Sequence, residues 1–222
     1  MKIFKVGGCV RDELIGVKSK DIDYAVECGS FEEMRQYIAA RGTIFLEKPE
    51  YLTIRAMING EPADYVMCRK DGYYSDNRRP DNVYPGTILD DLSRRDFTIN
   101  AIAIDTATGE YYDPFNGAAD LKLRKIVCVR SVQRLEEDPL RILRAIRFAI
   151  TKNLRLDTSI VDFLQYAYLS DMLKTVSVER IREELQRCFA YNTVATLYYI
   201  TDYNLAFLFE NQLWLKPTLE ER

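Results

Sequence analysis

Two aspartates flank one apolar residue in "KDIDYAVE" (20–27). On a strand, side chains at i and i+2 share a face, so Asp21 and Asp23 would present two carboxylates together while Ile22 turns to the other side. Two hard oxygen ligands placed in this way hold one Mg²⁺, or bridge two at ~3.5–4 Å, an arrangement that serves in-line attack at phosphorus. Asp64 in "PADYVMC" (62–68) is the candidate third carboxylate on a neighbouring strand. The competing use of these residues is ordinary strand polarity. A two-residue turn at Asn59-Gly60 would pair residue 58 with 61 and set Arg55 opposite Asp64, which makes a cross-strand ion pair the alternative role of Asp64.

Upstream, Gly7-Gly8 precedes a short helical pattern and carries Arg11 one turn in. Glycines at such a junction let backbone N–H groups approach an anion, and an arginine adds a charged fork to a phosphate. The plain alternative is a tight turn. Farther on, Asp138 and Arg141 lie three apart in a helical pattern, the spacing of a surface ion pair or of two groups facing one ligand.

These residues need elements to hold them. "KIFKV" (2–6) reads as a strand, 9–16 as a short helix and "DIDYAVE" (21–27) as a strand. "SFEEMRQYIAAR" (30–41) has an N-cap serine and early glutamates, the start of a helix. "TIFLEK" (43–48) and "YLTIRAMI" (51–58) read as strands, and Asn59-Gly60 as a hairpin turn into 61–68. Residues 69–86 are polar and turn-rich, a long loop of the kind that is functional or disordered in compact domains. "TILDDLSRRDFTINAIAID" (87–105) reads as a short helix, a break and a strand. From about residue 131 the period turns helical, with candidates at 138–152, 158–169, 177–190 and 194–209.

The chain has 222 residues, is 47% hydrophobic and 29% charged, and carries a net charge of −3, so it holds a sizeable core and is not disordered in the main. It contains no histidine, which removes Ser-His-Asp and Cys-His triads and histidine metal sites and leaves carboxylates, Lys/Arg, hydroxyls and metals to do any chemistry. The five cysteines are scattered, with no C-x-x-C, as reduced core thiols would be. No apolar run is long enough to span a bilayer and the first residues lack a signal-peptide core, so the expectation is a cytoplasmic protein with no membrane partner. Residues 122–147 gather eight Lys or Arg against three acids, a basic stripe suited either to a polyanion or to a solvated helix face.

Taken together, the motifs resemble a family. "GGCVRDELIG" with "KDIDYAV" is similar to the G-G-x-V-R-D-x-L-x-G…D-x-D signature of class II tRNA nucleotidyltransferases and bacterial poly(A) polymerases. "RRDFTINAIAID" (94–105) resembles the second motif. "YDPFNGAADL" (112–121), "EEDPLRILRAIRFA" (136–149) and "SVERIREEL" (177–185) resemble the remaining three, in order, over roughly residues 3–190. The resemblance implies an α+β fold: a polymerase-β-like nucleotidyltransferase head, a mixed sheet with helices, over 1–130, followed by an all-helical neck over 131–222. The head would be catalytic, and the neck would select nucleotides and touch tRNA.

The resemblance further implies Asp21 and Asp23 as metal ligands; the expected cofactor is Mg²⁺, two ions in all, and Asp64 stays the candidate third carboxylate. The resemblance also implies Arg95 and Asn100 near the triphosphate, Asp96 on the ribose, and Asp138 and Arg141 at the base; Gly7, Gly8, Arg11 and Arg144 complete the nucleotide-binding candidates. The chemistry of base reading is specific. Cytosine and adenine both present an amino donor beside a bare ring nitrogen, which an aspartate and an arginine match, whereas uracil and guanine present the reverse. The expected activity is template-independent addition of C and A from CTP and ATP to the tRNA 3′ end. An A-adding enzyme or a poly(A) polymerase is the alternative, and an idle RNA-binding module a third.

Two departures from the family pattern stand out. The basic element that poly(A) polymerases carry after the first motif is missing from "ARGTIFLEKPEYLTI" (40–54), which favours tRNA ends. The other departure is that relatives carry further helical regions. The loop at 71–81, by contrast, resembles that of CCA- and A-adding enzymes and counts against a CC-only enzyme. Finally, "LAFLFENQLWL" (205–215) concentrates Leu205, Phe207, Leu208, Phe209, Leu213, Trp214 and Leu215, a surface expected to dock on the neck helices or to form a homodimer contact.

Overall fold

The computed structural model describes residues 1–19, 21–71 and 83–209. The chain divides into two compact units, Met1–Leu123 and Arg124–Arg222. The division falls a few residues before the change of periodicity that the sequence places near 130.

In the first unit, β1 (Lys2–Val6), α1 (Gly8–Leu14), β2 (Asp23–Glu27), α2 (Phe31–Ala39), β3 (Gly42–Lys48), β4 (Thr53–Ile58) and β5 (Glu61–Met67) follow one another. A separate pair, β6 (Arg69–Asp71) and β7 (Val83–Pro85), comes next, then α3 (Ile88–Ser93), β8 (Ala103–Asp105), β9 (Tyr111–Tyr112) and α4 (Gly117–Lys122). The seven-stranded sheet runs β3-β4-β5-β2-β1-β8-β9. Only β2 and β5 pair in parallel; every other contact in it is antiparallel.

Alternation decides the two faces of this sheet. Ile54 and Ala56 of β4 and Ala63, Tyr65 and Met67 of β5 are buried, and Met34 and Ile38 of α2 pack over them. Truncating one such fully buried aliphatic side chain to alanine typically costs about 2–5 kcal/mol. The Ser30 hydroxyl caps α2 by accepting the Glu33 N–H at 3.1 Å, as the sequence predicts. Asn59 (φ 53°) and Gly60 (φ 81°) form the tight hairpin, which sets Ile58 against Glu61 and Arg55 against Asp64. The intervening residues Arg55 and Asp64 therefore face away from α2.

Among its described residues the second unit is helical apart from a short parallel pair, β10 (Lys125–Ile126) with β11 (Arg155–Leu156). Its helices are α5 (Arg134–Glu137), α6 (Leu140–Lys152), α7 (Thr158–Tyr166), α8 (Leu169–Leu173), α9 (Val178–Tyr191) and α10 (Thr193–Asp202), with a 3₁₀ turn at Leu205–Phe209. Helix α6 packs on α9, and Ile142, Leu143 and Ile146 are buried with Ile181, Leu185 and Cys188.

Three helix boundaries differ from the sequence reading. The helix expected from 138 begins at Leu140, because Asp138 precedes Pro139 and is pushed out of the helical region (φ −142°, ψ 96°). The stretch 158–169 breaks at Ala167, which is extended, and the helix expected over 194–209 ends at Asp202. Leu205 and Leu208 are buried within the helical unit while Phe209 is partly exposed. Leu213, Trp214 and Leu215, and most of the 71–81 loop, lie outside the described residues. Among the described residues no helix is long and apolar enough to cross a membrane.

Candidate active site

Strand β2 lies between β1 and β5, in register Val6↔Asp23 and Asp23↔Asp64, and β5 continues to β4 at Asp64↔Arg55. Cross-strand partners share a face, so Asp23 and Asp64 stand side by side on the face away from α2. Asp21 falls outside the strand, in a bend, and is exposed, whereas a two-residue alternation within one strand would have included it. The reason is local. Strand β1 ends at Val6, where Gly7 turns the chain into α1, so no β1 partner extends the ladder on that side. On the other side, β5 still holds Ile22 through the Asp64 N–H to the Ile22 carbonyl at 3.1 Å.

A cleft of about 250 Å³ opens here, lined by Asp23, Asp64, Asp91, Arg94 and Arg95 among others. A wider, more open depression of about 530 Å³ beside β3 has Glu47 as its one carboxylate. That carboxylate is already paired with Arg35 at 3.0 Å, so the smaller cleft is the chemical candidate.

Burial pushes the Asp23 carboxyl above its ordinary pKa; Arg95 pulls it back, and the nearby charges of Asp64 and Asp21 push it up again. Such mutual repulsion marks a place where a cation is favoured. Among the described residues, no three acidic, cysteine or histidine side chains gather tightly enough to enclose a metal alone. The donor set instead fits Mg²⁺, which is commonly held by one or two carboxylates and completes its shell with water and substrate phosphate.

The glycine turn abuts this group. Gly7 has φ 76° and ψ −134°, and a Cβ built there would lie 2.7 Å from Arg95 Nη1 and 4.0 Å from Asp23 Oδ2. Arg95 is anchored twice: Nε and Nη2 donate to Asp91 Oδ2 at 3.1 and 2.9 Å, and Nη1 donates to the Asn100 carbonyl at 3.2 Å. Arg94 donates to the other oxygen of Asp91. Asp91 itself is only 1% exposed. Burial alone would raise its carboxyl, but Arg95 and Arg94 outweigh burial and hold it below the usual carboxylate value. The sequence reading missed Asp91. Its signal was present in the helical i,i+3 and i,i+4 spacing to Arg94 and Arg95.

Arg11, Asn100 and Asp96 form a buried chain. Arg11 donates Nη1 to Asn100 Oδ1 at 2.6 Å, and donates Nε and Nη2 to Asp12 Oδ1 at 2.9 and 2.8 Å. The Asn100 amide then donates to Asp96 Oδ1 at 3.0 Å. All three are nearly inaccessible, so the Arg11 fork is directed at protein groups, and Gly8 opens α1 beside it.

In the second unit, the expected facing of Asp138 and Arg141 on one helix does not hold, because Asp138 lies before α6. Asp138 Oδ2 instead accepts from Arg180 Nη2 of α9 at 3.1 Å. Arg141 Nη1 donates to the Arg134 carbonyl at 2.8 Å and lies 3.4 Å from a Glu137 oxygen. Arg144 and Arg147 both pair with Glu184, which is buried. Glu184 was not singled out in the sequence, although it sits seven residues after Ser177 in the last motif.

The mixed sheet with its carboxylate row belongs to a recognisable class. Residues 3–127 match the poly A polymerase head domain, and the chain belongs to that family. It is 36% identical to the CCA-adding enzyme of Lactococcus lactis subsp. lactis over 184 residues, 82% of this chain and 45% of that enzyme. It is 34% identical to the A-adding tRNA nucleotidyltransferase of Aquifex aeolicus over 189 residues, 84% of this chain and 23% of that protein. The structure of the Thermotoga maritima CCA-adding enzyme complexed with tRNA_CCA is similar, with a TM-score of 0.76 at 28% identity, over 92% of this chain and 47% of that one. The chain thus spans less than half the length of these relatives.

Proposed function

We propose that this chain is a template-independent, cytoplasmic nucleotidyltransferase that adds C and A from CTP and ATP to the 3′ end of tRNA, building or repairing CCA. The observation that carries the reading is the in-register pair Asp23 and Asp64, set against the Gly7 turn and Arg95. When bound, one or two Mg²⁺ ions at Asp21 and Asp23 would make the terminal hydroxyl more acidic and neutralise charge on the triphosphate.

The remaining work falls to the chain's own groups. Asp21 and Asp23 hold the cations and Asp64 supplies the third carboxylate. Gly7 and Gly8 keep the turn thin enough for phosphate to approach the backbone. Arg95, held by Asp91 and by the Asn100 carbonyl, offers its charge to the triphosphate. Arg11 and Asn100 fix Asp96, which reads the ribose. Asp138 and Arg141 read the base, with Arg180 holding Asp138 in place, and Arg144 is a further nucleotide-binding residue. No histidine is required, since the leaving pyrophosphate and the attacking hydroxyl are handled by charge and position.

An A-adding enzyme is the second reading, favoured by the Aquifex relative; a poly(A) polymerase is the third, favoured by the name of the matching domain. The test is incorporation from each of the four nucleotides onto tRNA transcripts ending before CCA, after the first C and after the second. CTP use on the first two followed by ATP use on the third supports CCA addition. ATP use on the third alone gives the A-adding enzyme, and an extended A tail gives the polymerase. Incorporation on none would leave an idle RNA-binding module. For the 205–215 segment the first reading is docking on the neck helices, in keeping with the burial of Leu205 and Leu208, and a homodimer contact is the alternative, left open by Phe209 at 38% exposure. Sedimentation of the wild type against Phe209→Ala separates it from a monomer.

A further inference from the structure

The row of cross-strand partners does not stop at the carboxylates. After Val6, Asp23 and Asp64 comes Arg55 of β4, whose Nε lies 3.0 Å from Asp64 Oδ1. Its neighbours Ile54 and Ala56 are fully buried on the opposite face, so alternation along β4 fixes Arg55 on the side of the acids. The Arg55 side chain is 53% exposed and that of Asp64 33%, so the pair sits at the solvent boundary and its partners can separate without unpacking the core. Arg55 belongs to none of the sequence motifs, and beyond the expected cross-strand pair with Asp64 no role assigned above uses it.

We propose that Arg55 is a resident counter-ion of Asp64 that a divalent cation must displace, so that Arg55 sets how tightly the site binds its metal. The proposal rests on the reading of Asp21 and Asp23 as cation ligands with Asp64 as the third carboxylate of the same site. A guanidinium and a divalent cation compete for the same Asp64 oxygens, and the displaced positive charge remains close to the bound ion. An exposed ion pair is a weak competitor, and repulsion between the remaining charges is damped by water and salt. The effect is therefore modest: removing the Arg55 charge should tighten divalent binding roughly three- to tenfold.

The experiment titrates Mn²⁺ into the full chain without nucleotide, following the free-ion electron paramagnetic resonance signal, for wild type, Arg55→Gln, Arg55→Lys, Asp23→Asn and Asp64→Asn. Circular dichroism confirms that each variant is folded. The expected result is a Kd lowered three- to tenfold in Arg55→Gln and near wild type in Arg55→Lys, which keeps the charge. Binding should weaken in both aspartate variants. Equal Mn²⁺ affinity in wild type and Arg55→Gln, with the aspartate variants still weakened, overturns the counter-ion role and leaves the metal reading intact. That outcome combined with weaker tRNA binding by Arg55→Gln would make Arg55 a phosphate contact instead. Mn²⁺ binding unaffected by Asp23→Asn and Asp64→Asn overturns the metal reading, and the proposal with it.

Discussion

Replacing Gly7 by alanine tests the link between the turn and the chemistry. The backbone there, at φ 76° and ψ −134°, is one that side-chain-bearing residues avoid, and forcing a residue into such a region costs about 1–3 kcal/mol. For a chain of this size, where a kcal/mol moves Tm by about 2–4 °C, the melting point should fall by roughly 2–12 °C. The added methyl would also stand 2.7 Å from Arg95 Nη1, closer than side chains tolerate. The guanidinium must swing aside, which breaks its 3.2 Å bond to the Asn100 carbonyl and moves its charge away from Asp23. Loss of the charge-assisted hydrogen bond proposed between Arg95 and the triphosphate is worth ~1.5–3 kcal/mol, about ten- to a hundredfold in kcat/KM. Gly16→Ala is the matched control, because Gly16 also has positive φ (73°) but nothing within 4 Å of its would-be Cβ. It should lose stability and keep activity. Steady-state kinetics well below each variant's Tm give the comparison. Equal kcat/KM in folded Gly7→Ala and Gly16→Ala would refute the idea that Gly7 exists to make room for Arg95.

Asp91→Asn should destabilise the protein by about 3 kcal/mol, the low end for breaking a buried pair, since Arg94 and Arg95 keep some access to water. Because the Asp91 pKa is held below its unfolded value, its contribution is present above about pH 4 and is lost as pH falls further. The wild type's acid unfolding should therefore be steeper in that range than the variant's, as urea midpoints measured at several pH values would show. Asp138→Ala should slow CTP and ATP use and narrow their margin over UTP and GTP by roughly ten- to a hundredfold, with Mg²⁺ dependence unchanged. Single-turnover incorporation of each nucleotide reads this, and an unaltered margin would mean that the base is read elsewhere. Glu184→Gln should lower Tm and weaken the hold on Arg144 and Arg147, measured by thermal melting. No change in Tm would mean that the buried pairs contribute nothing net.

Much of this architecture can be read from local chemistry. The Asn59-Gly60 turn dictates the register that puts Arg55 against Asp64, Ser30 announces α2, and β4 and β5 alternate between core and surface. Where the sequence reading and the structure part, a neighbour decides. Asp21 leaves the strand because its ladder partner runs out at Val6. Asp138 leaves the helix because a proline follows it, and it then finds Arg180, 42 positions away, a pairing that spacing cannot reveal. Asp91 and Glu184 look like surface acids in helical patterns. Only packing shows them as buried anchors for Arg94, Arg95, Arg144 and Arg147.

We propose metal-dependent nucleotidyl transfer as the work of the Asp23 and Asp64 face. Its most direct test is single-turnover extension of a tRNA ending before CCA, with CTP and ATP across a Mg²⁺ series, for the wild type and Asp23→Asn. The wild type should extend the end only when Mg²⁺ is present, and folded Asp23→Asn should be slower by roughly a hundredfold or more. Extension by Asp23→Asn at the wild-type rate, or extension by the wild type in the presence of excess chelator, would contradict it.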